Sequence, residues 1–247
     1  MDPRLPTLIY EQALWQSGFT YIAGIDEAGR GAWAGPVSAA AVILPPDPSI
    51  LDTLHLVRDS KLMTPLARET WAPRIQAAAL TWGIGFASSE EIDIIGILPA
   101  TKLAAIRALS NLSPVPPSFP NSSSTNPLSP RIPLPDYLLT DYLIFPAIDL
   151  PQTALVKGDQ LSLSIAAASV LAKTARDAVM RTLDSHYPAY GFARHKGYGT
   201  RLHQQAIHRW GLCAIHRKSF SILLGRVARV NTEPELIRPL RPSRPAT

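Results

Sequence analysis

The sequence predicts an α/β domain, a mixed sheet of five strands with helices on its faces and a helical extension at its C-terminal side. Three observations lead there. Five short apolar runs of strand length occur at 21–27, 37–44, 81–88, 137–141 and 153–157. Helical patterns are interspersed among them, the longest from Ser164 to Ser185 and rich in Ala, Leu and Val. Hydrophobic residues make up 46% of the 247 positions and charged residues 17%, enough apolar side chain to bury a core without covalent staples.

The elements follow in order. The first run ends in Asp26-Glu27 and is punctuated by Gly29, Arg30, Gly31 and Gly35-Pro36. Val37 to Leu44 is a second strand, stopped by Pro45-Pro46. Strands this close in sequence pair antiparallel. Thr64-Pro65 reads as an N-cap with proline at the first helical position. Pro73 should end or kink the helix that starts there. Thr81 to Ser88 is the third strand, Ser89 to Ile95 a short helix and Ala100 to Leu109 a longer one. Tyr137 to Asp141 and Thr153 to Lys157 are the last strands, placed so that parallel pairing is open to them. Leu202 to Trp210 is helical.

Two segments break the pattern. Ser113 to Pro135 holds eight prolines and six serines in 23 residues, and is expected to be a flexible surface insertion. Gly225 to Thr247 holds five arginines and four prolines and is expected to be a loosely ordered tail. The predicted division is one domain over 1–223, interrupted by the insertion at 113–135, and a basic tail over 224–247.

Composition narrows the function. The net charge of +5 suits a polyanionic partner, because bound Lys and Arg release counterions condensed on phosphates. A single cysteine, Cys213, excludes an internal disulfide framework and is expected to be a small buried side chain. No apolar run reaches the roughly 18 residues of a membrane helix, and the first 18 residues lack a signal-peptide core. A soluble, cytoplasmic, monomeric protein is expected.

Four carboxylates stand out. Asp26, Asp141 and Asp159 each end or closely follow an apolar run, and Glu27 adjoins the first. Active sites collect at strand ends in α/β sheets. Side chains of neighbouring strand residues point to opposite faces, so Asp26 and Glu27 share a site only if the chain turns there. Taken singly, each acid is more simply a cap or turn former. Taken together, converging carboxylates repel, and a divalent cation resolves the repulsion. An all-oxygen set suits Mg2+ or Mn2+. Two such ions about 4 Å apart would stabilise the attacking and leaving oxygens of a phosphodiester displacement.

At this point a resemblance enters. Gly24-Ile25-Asp26-Glu27-Ala28-Gly29-Arg30-Gly31, followed by Gly35-Pro36-Val37, closely resembles the first signature of the ribonuclease HII family. Asp59-Ser60-Lys61, Tyr137 to Asp141 and Lys157-Gly158-Asp159 resemble its next three motifs in the same order. Ala167 to Lys173 with Arg176-Asp177 resembles its long helix, and Tyr190-Gly191-Phe192 with His195 to Thr200 its substrate loop. The resemblance spans roughly Tyr21 to Phe220, apart from the insertion.

It implies a ribonuclease H-like fold and hydrolysis of the RNA strand of RNA/DNA hybrids. It also implies cutting at single ribonucleotides in duplex DNA, with 5′-phosphate and 3′-hydroxyl ends. Asp26, Glu27, Asp141 and Asp159 match the metal-binding catalytic carboxylates. Gly29, Arg30 and Gly31 match a clamp on the RNA–DNA junction, and Tyr198 a residue that senses the 2′-OH side. Lys61, Ser169 and Lys173 match groups near substrate phosphates. Asp177, in line with Ser169 and Lys173 on one helix stripe, competes with Asp159 for the fourth acid, and Asp159 is preferred. An exposed Lys173–Asp177 pair is the bland reading of those two. His195 is expected to be structural, and Trp33, Trp71 and Trp82 core or rim aromatics.

The chain departs from the family in having Tyr142 where glycine usually follows the third acid, and Ala32-Trp33 in the first loop. A different two-metal nuclease on the same fold would leave Gly29-Arg30-Gly31 and Tyr198 unexplained. A non-catalytic hybrid-binding protein would be expected to lack one of the acids.

Overall fold

The computed structural model describes residues 5–112 and 134–220. The predicted insertion therefore lies outside the described residues except for Leu134 and Pro135, and so does the tail.

The strands are β1 (Ile22–Ala28), β2 (Val37–Ile43), β3 (Thr81–Ala87), β4 (Tyr137–Asp141) and β5 (Gln152–Leu155). They form one sheet in the order β3-β2-β1-β4-β5. β1 and β2 pair antiparallel, as do β2 and β3, whereas β4 runs parallel to both β1 and β5. β5 stops two residues short of the predicted strand, because Lys157 turns left-handed at φ 58° and opens a short helix.

The helices are α1 (Ile9–Gln16), α2 (Ile50–Thr53), α3 (Pro65–Ala78), α4 (Ser89–Ile95), α5 (Ile97–Ser110), α6 (Gly158–Leu161), α7 (Leu163–His186), α8 (Phe192–His195) and α9 (Arg201–Trp210). Thr64 caps α3 by accepting from the Ala67 amide at 3.2 Å, as its sequence predicts. Pro73 does not end that helix, which runs unbroken to Ala78. Proline deprives the Glu69 carbonyl of its helical donor, but Trp71, Ala72 and Ile75 are buried in the same apolar cluster as α7. Burying that stripe outweighs one lost bond, a penalty of about 3 kcal/mol.

Period-two alternation divides the core. Ala40 and Val42 of β2 face α3 and α7, whereas Ala39, Ala41 and Ile43 face α5. Alanines on both sides bring α7 close to the sheet. At Gly24 the approach is closest: a Cβ there would collide with the Ser164–Ile165 backbone. Thus β1 residues of even number face α7, and Ala23 and Ile25 face α5. Among the described residues no helix is long and apolar enough to cross a membrane.

Candidate active site

β1 and β4 run parallel with Ile25 opposite Thr140, so one residue further along Asp26 lies beside Asp141. β4 in turn sets Asp141 opposite Leu155, the last residue of β5. The chain then turns at Lys157, and Asp159 falls in the first turn of α6. The Gly158 amide donates to Asp141 Oδ1 at 2.8 Å, tying the turn to β4. As a result, one carboxylate oxygen from each of Asp26, Asp141 and Asp159 lies within 4.8 Å of the others.

These acids sit in an unfavourable field. Burial, and then the neighbouring Glu27 charge, hold the Asp26 carboxyl well above its ordinary range, while Ser169 works in the opposite direction. Burial and the Asp59 charge push Asp159 up to about 6. Asp26 Oδ1 accepts from the Glu27 amide at 2.7 Å, but its buried Oδ2 has no hydrogen-bond partner. A buried carboxylate oxygen without a donor, facing two more carboxylates, fits a hard divalent cation.

Glu27 enters differently. β1 continues to Ala28 without turning, so Glu27 points away from the α7 face that Asp26 occupies. It is not one of the three clustered acids, and it is held by Arg30 Nη1 at 3.0 Å. Burial raises its carboxyl and Arg30 lowers it, and the weaker influences of Asp141 and Lys61 also reach it, which places Glu27 at the rim of the same site.

Of the remaining predicted residues, Lys61 lies against the cluster. Lys61 Nζ is 3.4 Å from Asp159 and 3.8 Å from Asp59, with most of its side chain exposed. Ser169 is buried and donates to Ser60 Oγ at 2.9 Å. Gly29 has φ +94°, and a Cβ there would run into the Arg176 guanidinium, so only glycine fits. Gly31 is exposed and Arg30 half-buried. The half-buried Tyr198 ring lies 5.2 Å from Lys173 Nζ and 5.4 Å from the Arg176 guanidinium carbon.

Asp177 is outside the cluster, bonded to Lys173 at 2.8 Å and to Arg68 at 3.2 Å. Contrary to the exposed pair expected from spacing, this is a three-membered buried group, because Arg68 reaches in from α3. Tyr142 turns outward, 65% exposed, with φ 64°, a conformation that favours glycine. His195 is buried and structural, and Trp33 and Trp71 are buried. Cys213 is half-buried rather than fully enclosed.

Sequence reasoning missed three participants. Asp59, buried beside Asp159, lies in a motif of which the resemblance gives a role to Lys61 alone, and it caps the turn at Ser60–Leu62. Arg176 and Arg217 are fully buried and spend their guanidinium groups on backbone carbonyls. Arg176 donates to Pro36, Lys196 and Ala34, and Arg217 to Gly35 and Arg30. Arg176 thereby ties the Ala34–Pro36 stretch to Lys196, two residues before Tyr198, whereas Arg217 anchors Arg30 and Gly35 and leaves its buried Nη2 without a partner.

A sheet of this order, with aspartates gathered at one end of its central strands, defines a class of divalent-metal-dependent nucleases with the ribonuclease H fold. The particular family follows from comparison: the sequence profile described as Ribonuclease HII matches residues 23–223, and the chain belongs to that family. Ribonuclease HII of Dehalococcoides mccartyi is 44% identical over 222 residues, covering 90% of this chain and 95% of that one. Ribonuclease H2 of Pyrococcus horikoshii OT3 shares the fold at TM-score 0.63 and 22% identity, covering 86% of this chain and 99% of that one. Bst-RNase HIII, solved in complex with Mn2+, shares it at TM-score 0.60 and 19% identity, covering 90% and 73%. The chain is a ribonuclease H, an endonuclease acting on RNA/DNA hybrids.

Proposed function

We propose that Asp26, Glu27, Asp141 and Asp159 are the catalytic carboxylates, that they hold Mg2+ or Mn2+ in a two-ion site, and that the substrates include single ribonucleotides embedded in duplex DNA. The convergence of three aspartates, one of which, Asp26, keeps a buried Oδ2 without a hydrogen-bond partner, carries this reading. Bound there, divalent cations would supply Lewis-acid stabilisation to the attacking and leaving oxygens, giving 5′-phosphate and 3′-hydroxyl ends.

The protein's own groups do the rest. Asp26 and Asp141, fixed by adjacent strands, supply a rigid platform. Asp159, on a helical turn, completes it from the side. Lys61 compensates Asp159 in the free protein and is exposed enough to swing to a substrate phosphate. Arg30 likewise holds Glu27 until a phosphate competes for its guanidinium. Gly29 and Gly31 let the backbone approach the sugar–phosphate chain. Tyr198 supplies an aromatic face at the sugar, with Ser169 and Lys173 beside it. The 2′-OH is the mark that separates ribose from deoxyribose, so recognition has to be built there. The proposal includes a monomeric, cytoplasmic enzyme with a catalytic domain over 1–223 and a basic tail.

The test is cleavage of labelled duplex DNA containing one ribonucleotide, with Mg2+ or Mn2+, beside an all-DNA control. Cutting is expected 5′ to the ribonucleotide, dependent on metal, absent on all-DNA and lost in Asp26→Asn. Equal cutting by Asp26→Asn would remove this site from the reaction.

A further inference from the structure

Behind the loop that carries Tyr198 lies a buried group that the proposed chemistry does not use. His195, His203 and His216 are all at most 8% exposed. The rings of His195 and His203 stack at 4.4 Å, and those of His203 and His216 lie 5.1 Å apart. His195 and His203 each bond a backbone carbonyl, which can only accept, and this places their ring protons.

The Tyr198 carbonyl can only accept, and it lies 3.0 Å from His203 Nδ1, so a neutral His203 carries its proton there. Its bare Nε2 then accepts from His216 Nε2 at 3.0 Å, which puts the His216 proton on Nε2. His216 Nδ1, left as an acceptor, takes the Cys213 amide at 2.9 Å, with the Cys213 carbonyl farther off at 3.3 Å. Independently, the Gly197 amide donates to His195 Nδ1 at 3.2 Å, and His195 Nε2 donates to the Tyr190 carbonyl at 2.8 Å. A further proton on His203 Nε2 or His195 Nδ1 would meet an existing N–H.

Tyr198 hangs between two of these residues. Its amide donates to the His195 carbonyl at 2.9 Å, and its carbonyl accepts from His203. We propose that His195, His203 and His216 form a relay of neutral imidazoles that positions Tyr198 for ribose recognition, His203 Nδ1–H being the last link. The relay rests on the reading of Tyr198 as a substrate contact. None of the three is a catalytic residue.

The surroundings favour the neutral state. Burial lowers all three rings, His203 and His216 to about 4. The titratable and charged groups that face them are Asp184 from α7, Arg194 and Lys196 beside His195, Tyr190, and Cys213 against His216. Only Asp184 among these favours a charged ring, and it acts on His195.

The experiment separates the two ring nitrogens. In His203→Asn the side-chain amide takes the place of Nδ1–H and keeps the bond to Tyr198. In His203→Gln the amide reaches only the Nε2 position and loses that bond. For a duplex with one ribonucleotide, His203→Gln is expected to raise KM about fivefold, the equivalent of one neutral hydrogen bond, with little change in kcat. His203→Asn is expected to stay near the parent value.

In a Tyr198→Ala background, His203→Gln should add nothing further. If Tyr198→Ala itself leaves KM unchanged, the substrate reading of Tyr198 fails. If Tyr198→Ala impairs binding and His203→Gln impairs it again by the same factor, that reading stands and the relay is overturned. Imidazole 15N spectra of the unaltered protein at neutral pH test the relay without any variant. Protons on His203 Nδ1, His216 Nε2 and His195 Nε2 are expected, and a proton on His203 Nε2 would overturn it.

Discussion

In the role proposed for it, Asp26 is a single residue that serves function against stability. Its carboxyl is buried, short of one donor and surrounded by other acids. Removing the charge in Asp26→Asn should therefore stabilise the metal-free protein at neutral pH while abolishing cleavage. A gain of about 1 kcal/mol would raise Tm by about 2–4 °C for a domain of this size. A lower Tm in the variant would show that the carboxylate is well satisfied. The pH dependence has a definite sign. Asp26 and Asp159 have folded values above their unfolded ones, Asp159 at about 6. Their contribution to metal-free stability is present in full below about pH 4; that of Asp159 is lost as pH rises through about 6, and that of Asp26 as pH rises through its own raised value. Cations reverse this, because they bind the charged forms. Mn2+ should raise Tm more at pH 7.5 than at pH 5, by thermal melting in matched buffers, and equal gains would locate the ion elsewhere. At this scale the three aspartates were legible because each follows an apolar run. Arg176 and Arg217 were not. Arginine is rarely fully buried, and their partners are carbonyls that only the folded chain brings within reach.

At the scale of elements, β1, β4 and the first turn of α6 carry the clustered acids, and α7 packs against β1. β1 presents Asp26 to α7 and Glu27 away from it, which the two-residue repeat of a strand requires. The sequence left open a turn that would have put both acids on one face. The strand instead stays straight to Ala28, and Glu27 takes part only from the rim. Gly24 sets the distance of α7 from the sheet, so Gly24→Ala should act through the whole element. A methyl group has to displace helix backbone rather than a flexible side chain. The expected loss is about 1–3 kcal/mol, the range for overpacked cores, with a Tm several degrees lower in thermal melts. An unchanged Tm would mean that α7 is free to slide. Caps and strand runs were legible because they depend on neighbours in sequence, as Thr64 and Pro65 show. The persistence of α3 through Pro73 was not, since it depends on a buried stripe packed against a distant helix.

For the molecule as a whole, the mixed sheet and its early antiparallel pair follow from strand spacing. The insertion of β4 beside β1, which brings Asp141 to Asp26, depends on pairing between segments more than a hundred residues apart. Only the resemblance of the motifs anticipated it. Net charge belongs to this scale too. A chain of +5 that places Lys61 and Arg30 at an acidic centre and its rim, with Lys173 paired to Asp177 outside it, has to attract a polyanion while repelling it at the carboxylates. The cations are held in the free protein by Glu27, Asp159 and Asp177, so each phosphate contact exchanges one partner for another. If those three side chains each neutralise one phosphate, the logarithm of the association constant should fall with the logarithm of salt concentration at a slope of about −3. Binding of hybrid duplex by Asp26→Asn protein, measured between 50 and 300 mM salt with no cutting to interfere, tests this on an order-of-magnitude scale set by counterion release. Adding Lys61→Met should make the slope shallower by about one. If the slope is unchanged, Lys61 serves only Asp159 and Asp59, and its charge compensates the acids without ever reaching the nucleic acid.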